Sequence, residues 1–385
     1  MTVDEHFSHG LLSSPIFSFE TAIPETPVTD PINPSFLTAA TKPYSPLPTP
    51  LTPSTAISWD PPFKPGVGGH RGRYLWTDAF GVLNFITLSR LSNPAYLILA
   101  TRLVETVHSV LGRTRDRTAR LQGASDAHPL AGGLRIGKLE EEGKGMEGDG
   151  MYHHYITLWM FALCRLAKAT GERGWVERAV ELGRATNRLF VKEGEGGRKR
   201  LVWKVGTDGR VLVGSEGRLD AATGYVVYLL LARTAKDMEL GEGVLEEEIA
   251  EYQALMGRHG GVSASRDVLD LGMGLWMASG CREEEWARRL GEESMGVVKG
   301  VLRGVMGRPA GRRLAFREFG TCLGLECWGG MDEELRAMVE EVKRFWEAKM
   351  EVHTEEDLRP ISWVMYAAAL VPGAWKPGFL EDNGE

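Results

Sequence analysis

Beyond residue 65, apolar residues recur along the chain in two patterns, both with a helical period. In the first, nearly every position is apolar, as in residues 76–91, from Trp76 through Phe80, Val82, Leu83, Phe85 and Ile86 to Leu91. The same density returns in 151–169, 219–235, 266–279, 312–327 and 360–371. A helix without a polar face is buried on all sides. In the second pattern the apolar positions form a stripe. Residues 175–190 place Trp175, Val176, Ala179, Val180 and Leu189 on one face and Glu177, Arg178, Glu181 and Arg184 on the other. That stripe recurs in 94–111, 243–256, 283–304 and 331–349, and helices of this kind keep one wet face.

The two kinds alternate strictly, six apolar and five amphipathic. Sequential helices joined by short loops pack as antiparallel neighbours. An inner ring of apolar helices inside an outer ring of amphipathic ones accounts for both patterns, so the expected fold is all-α, an (α/α)6 toroid. The one strand pattern is Lys199–Val205, the turn Gly206-Thr-Asp-Gly209 and Arg210–Val213, read as a short β-hairpin insertion.

Proline divides the chain into parts. Thirteen of the 19 prolines fall in residues 1–65, whereas residues 130–308 contain none and can form long helices. Residues 1–65 are therefore expected to be an irregular or partly disordered Pro-rich arm, and 66–385 a single toroid domain. The arm's Phe17, Phe19, Ile23, Phe36, Leu37, Trp59 and Phe63 suggest a segment laid over the body. The sixth apolar helix has only residues 372–385 after it, so the arm is the available cover for its outward side.

Loop lengths locate a site. Connections from apolar to amphipathic helices are short, and the returns are longer, above all 112–150 and 191–218. The long loops therefore gather at one rim, at the N-terminal ends of the apolar helices. Long ordered loops on a rigid scaffold carry function. Aligned helix N-termini also favour acidic groups and hydroxyl-rich or anionic ligands there.

Composition narrows the classes. A formal net charge of −7 offers no basic face to a nucleic-acid backbone. No apolar run reaches the length of a membrane span. Met1-Thr-Val-Asp-Glu-His has no secretory pattern, and four cysteines do not make a disulfide framework. A cytoplasmic protein with a small-molecule or saccharide ligand, and with no nucleic-acid or membrane partner, is expected.

The rim supplies four candidate catalytic carboxylates: Asp78, Asp126, Asp149 and Asp220. Hydrolysis of a glycoside needs two carboxyl groups across the bond, one protonated and one ionised. Against this, Asp78, Asp149 and Asp220 all lie where an aspartate commonly caps a helix. His153 and His154 open the second apolar helix. Their side chains point about 100° apart, so one at most faces the lumen squarely, as a general base partnered by His128 or His353. Tyr74, Trp76, Tyr152, Tyr155, Tyr225 and Trp363 are candidates to stack on a sugar ring, while Trp159, two turns into its helix, reads as a core aromatic. Arg135 and Lys138 in the glycine-rich loop suit a carboxylate or phosphate, although Gly132-Gly133-Leu-Arg-Ile-Gly137 spells no phosphate motif. Asp267 and Asp270, Arg317 and Glu318, and Arg359 with Ser362 stand at the starts of the last three apolar helices. Neither HExxH nor paired CxxC is present, so no metal and no cofactor is expected.

Helix order and rim chemistry, with aromatics and a carboxylate in Tyr74-Leu-Trp-Thr-Asp78, resemble the six-hairpin glycosidase-like superfamily over roughly residues 70–375. That superfamily's (α/α)6 barrels include glycoside hydrolases and unsaturated glucuronyl hydrolases, and the related N-acylglucosamine 2-epimerases share the toroid. The resemblance implies a carbohydrate-active or sugar-metabolite enzyme, most simply a hydrolase with paired rim carboxylates. The alternatives are a sugar epimerase or isomerase working through lumen histidines, or a toroid that binds a ligand without turnover.

Overall fold

The computed structural model describes residues 32–63, 68–143, 145, 147–258 and 261–381. Residues 1–31, 64 and 65 of the Pro-rich stretch, with Phe17, Phe19 and Ile23, lie outside the described residues.

Thirteen α-helices run through the described residues. Two short ones, α1 (Pro34–Thr41) and α2 (Pro53–Ile57), come first. Then follow α3 (Leu75–Leu91), α4 (Ala95–Leu111), α5 (His153–Thr170), α6 (Arg173–Phe190), α7 (Asp220–Asp237), α8 (Glu246–Met256), α9 (Val268–Ser279), α10 (Glu285–Met306), α11 (Ala315–Trp328), α12 (Glu333–His353) and α13 (Arg359–Leu370). With only short strands besides, the fold is all-α.

The two sequence patterns sort as their burial predicts. In α3 every residue from Leu75 to Leu88 is buried. In α6 the buried residues, Trp175, Val176, Ala179, Val180 and Leu182 among them, follow the stripe. Among the odd-numbered helices from α3 on, α3 packs on α5, α5 on α7, α9 on α11, α11 on α13 and α13 on α3, with a thinner contact between α7 and α9. Each amphipathic helix packs on the apolar helix before it: α4 on α3, α6 on α5, α8 on α7, α10 on α9 and α12 on α11.

The tightest of these contacts depends on glycine. A Cβ at Gly272 in α9 would stand 2.1 Å from the Gly320 carbonyl oxygen in α11, and one at Gly324 would stand 2.0 Å from the Gly272 oxygen. The two backbones touch. Glycine weakens a helix interior by about 1 kcal/mol, and here it admits a contact no other residue allows.

Five short strands complete the fold: β1 (Met151–Tyr152), β2 (Val191–Glu193), β3 (Lys199–Leu201), β4 (Lys204–Val205) and β5 (Val211–Val213). The expected hairpin exists as β4 and β5, closed by the Gly206 N–H donating to the Arg210 oxygen at 2.9 Å. Its first half needs correction. Lys199–Leu201 pairs with β2 and not with β5, because the Val202 N–H turns to the Phe190 carbonyl and separates β3 from β4. β4 pairs on its other side with β1, directly ahead of α5.

The expectation of an irregular arm is also corrected for residues 32–63. Pro34 and Pro53 are first helical residues, where the missing N–H breaks no hydrogen bond. The Asn33 side chain accepts from the Ser35 N–H at 2.9 Å, and Thr52 and Thr55 form a capping box. Helix α1 packs on α13, and α2 on α4. Phe36, Tyr44 and Trp59 are buried.

Candidate functional site

The pairing of β1 with β4 sets the start of α5. It places Tyr152, His153, His154 and Tyr155 beside Trp203, whose carbonyl accepts the His153 N–H at 3.0 Å. The start of α3 adds Tyr74 and Trp76. The result is a cup of aromatic rings around the His154 imidazole. Ring centroids lie 5.0 Å from His154 to Tyr155, 6.1 Å to Trp76, 6.1 Å to Tyr152 and 6.2 Å to Trp203. The Tyr74 and Tyr155 hydroxyls share a 2.5 Å hydrogen bond. Burial pushes the Tyr74 phenol up to about 12 and that of Tyr155 well above its ordinary value, so both stay protonated at neutral pH. The His154 side chain keeps 39% of its surface exposed within the cup.

Below the cup lies Asp220, the first residue of α7, with its side chain 4% exposed. Its Oδ1 stands 3.6 Å from His154 Nδ1 and 3.7 Å from His153 Nδ1. Burial alone would raise the carboxyl; the two imidazoles outweigh it and hold Asp220 well below the usual carboxylate range. His153 is fully buried, and its Nε2 shares a 2.7 Å hydrogen bond with the Tyr252 hydroxyl of α8. Among the described residues, Asp220 Oδ2, His153 Nδ1 and Trp76 Nε1 are buried without a partner at hydrogen-bond distance. Unpaired buried polar atoms are costly, and each calls for a reason. Asp270, on α9, is raised by burial and by the Asp267 charge, against the pull of Arg317, His154 and Arg218.

No protein-family model matches this chain, and no curated protein does. The assignment of roles therefore rests on geometry alone.

Several expected site residues are held in ion pairs with arginine. Asp149 is fully buried between Arg135 at 2.5 Å and Arg115 at 2.7 Å, and it also accepts the Gly137 N–H at 2.9 Å. Arg135 spends its remaining donors on the Arg113 and Val110 carbonyls. Gly137 makes this possible with a φ of +83°; a Cβ there would meet the Arg73 oxygen at 2.2 Å. Asp78, in the first turn of α3, pairs with Arg73 at 3.0 Å and reaches back to accept the Tyr74 N–H at 3.2 Å. Burial pushes its carboxyl up to about 6, although Arg73 opposes this. Glu318 is held by both arms of Arg313.

Others stand elsewhere. Asp126 is exposed beside Arg120, and His128 is exposed beside Glu181, so neither joins the cup. His353 ends α12 on the surface, which removes the second proposed partner of the lumen histidines. Lys138 pairs with exposed Glu147. Tyr225 is buried against Glu284 and Trp286, and Trp363 donates to Glu351 under Lys42. Arg317 binds the cap residue Asp267 at 2.6 Å, while Arg359 donates to the Thr354 oxygen and Ser362 to the Leu358 oxygen. Trp159 is a core aromatic whose indole donates to His108 at 3.0 Å.

Trp203 and Tyr252 belong to the site and were not singled out in the sequence. Trp203 lies between β3 and β4, and Tyr252 is one of two buried residues in α8. Among the described residues no cluster of histidine, cysteine and acidic groups is arranged to hold a metal ion. No helix there is long and apolar enough to cross a membrane.

Proposed function

We propose that the chain is a carbohydrate-active enzyme of the six-hairpin glycosidase-like kind, with its helices in an α/α toroid and His154 as its acid–base group. The toroid reading is supported by the succession of contacts from α3 through α5, α7, α9, α11 and α13 back to α3, with an amphipathic helix on each apolar one. One observation carries the chemistry: a half-exposed imidazole, 3.6 Å from a buried ionised carboxylate, ringed by four aromatic side chains. Aromatic faces bind sugar rings by stacking on their C–H surfaces. The Asp220 carboxylate stands beside the imidazole, placed to offset the charge that develops as His154 takes a proton from a carbon next to a carbonyl and returns it. Returned to the neighbouring carbon, the proton completes isomerisation of a free sugar, whereas epimerisation needs a second proton donor on the opposite face. Glycoside hydrolysis is the second reading, favoured by a pair of carboxyl groups near His154 pushed in opposite directions: Asp270 raised, suited to act as acid, and Asp220 lowered, suited to act as base.

A thermal-shift screen of free sugars, uronic acids and glycosides tests the proposal. Stabilisation by one class is expected, lost in Trp203→Ala and retained in Asp126→Asn. Deuterium uptake from solvent into the bound sugar, abolished in His154→Gln, is the sign of isomerisation. Release of reducing ends that depends on Asp270 is the sign of hydrolysis. A screen in which no sugar shifts the transition overturns both readings.

A further inference from the structure

We propose that a cavity reaching the far ends of α5, α7 and α9 from His154 binds a small molecule that joins a flat apolar body to a single anionic group. The cavity measures about 310 Å³ and lies along α7 from Thr223 to Asp237, against the last turns of α5 and α9 and the segment after α13. That volume is at the small end of ligand pockets, enough for a compact two- or three-ring molecule. A helix rises 1.5 Å per residue, so Lys168 at the cavity stands about 20 Å along α5 from His154. The two sites share helices and no residue.

The floor is aromatic. Phe161, Trp276 and Trp375 meet there with centroids 5.0, 5.2 and 5.7 Å apart, and all three rings are buried. Such a floor gives a flat apolar body area and quadrupole contacts together.

The mouth is basic on balance, with Arg165, Lys168, Arg233 and Lys376 against Asp237 and Glu381. Arg165 has a structural duty, since its Nε and Nη2 donate to the carbonyls of Ala374 at 2.8 Å and Lys376 at 3.1 Å and so fasten the segment that forms one wall. Lys168 stands 3.8 Å from Glu381. Arg233 is exposed at the opening. The C-terminal ends of α5, α7 and α9 each add roughly half a negative charge, which leaves about half a positive charge at the mouth. That balance suits a carboxylate or sulfonate and is too weak for a polyphosphate.

The full chain can be titrated with 1-anilinonaphthalene-8-sulfonate and with its uncharged analogue N-phenyl-1-naphthylamine. One saturable site for the sulfonate is expected. Replacing two mouth charges in Arg233→Gln/Lys376→Gln should weaken the sulfonate by about tenfold and leave the neutral dye within about twofold, given the worth of exposed charge pairs. Gly280→Trp should block both dyes. Gly280 has a φ of −80°, and a Cβ there meets nothing nearer than Met277 O at 3.5 Å, with the cavity residue Val226 at 3.8 Å. Should Gly280→Trp lose its cooperative thermal transition, the charge variant decides, because its changes sit at the mouth. No saturable binding, an equal loss for both dyes in the charge variant, or a folded Gly280→Trp that binds as before overturns the proposal.

Discussion

Asp149 and Asp220 are alike in sequence, each an aspartate beside the start of an apolar helix, and the structure uses them in opposite ways. Asp149 lies between two guanidiniums and a backbone N–H, and its partners hold permanent charge and fixed geometry. Asp220 lies beside two imidazoles at longer range and keeps one oxygen unpaired among the described residues. A carboxylate paired with arginine stabilises a loop. A carboxylate paired with histidines has neighbours that can change charge near neutral pH, and such neighbours can move protons. What surrounds a carboxylate decides its role more than where it sits on a helix.

The largest test of this contrast is stability. Asp149→Ala leaves Arg135, whose side chain is 1% exposed, buried without its counter-charge, and the expected cost is about 3–5 kcal/mol. Chemical denaturation will show this as a lower midpoint. If the loss is under 1 kcal/mol, Asp149 does not anchor the 112–150 loop. Activity is the counterpart. His154→Gln is expected to keep the wild-type midpoint while losing on the order of 10²-fold in turnover, the usual worth of a general acid–base group. A matching loss of stability would make His154 a packing residue.

The smallest and sharpest test is in the pH dependence of Asp78 and Asp220, whose carboxyl groups shift in opposite directions. Asp78 rises to about 6 in the fold, so the native state holds its proton more tightly than the unfolded chain does. Its contribution is best below about pH 4 and weakens as pH rises towards 6. Asp220 is depressed, so its contribution is present above about pH 4 and is lost as pH falls below that. The cost of Asp78→Asn relative to wild type should therefore shrink between pH 4 and 6.5, and the cost of Asp220→Asn should shrink as the solution is acidified. Slopes of the same sign for both variants would overturn the contrast.

Much of the fold was legible because burial leaves a compositional mark. The apolar helix predicted at 76–91 is Leu75–Leu91, and the amphipathic one at 175–190 is Arg173–Phe190. What proline hid was position. Pro34 and Pro53 read as breakers in a Pro-rich run, yet at the first turn they start helices. Of the residues gathered around His154, Tyr152, Tyr155 and Asp220 were legible because they stand where two long loops return, and Tyr74 and Trp76 because they open the first apolar helix. The separation of structural from chemical carboxylates was not, because Arg115 and Arg135 reach Asp149 from 34 and 14 residues away. Such pairings depend on tertiary folding, and a single sequence carries no mark of them.

The glycine contact between α9 and α11 also has a consequence in time. Two helices whose backbones touch cannot slide or tilt without a clash, so they move as one body. Helix α7 meets α9 more thinly. Slow breathing of the molecule should therefore concentrate at that looser seam. Asp220 and Asp270 stand at the starts of these two helices, and Arg233 and Trp276 near their ends. A ligand at either end would rest on both sides of the seam and slow its opening.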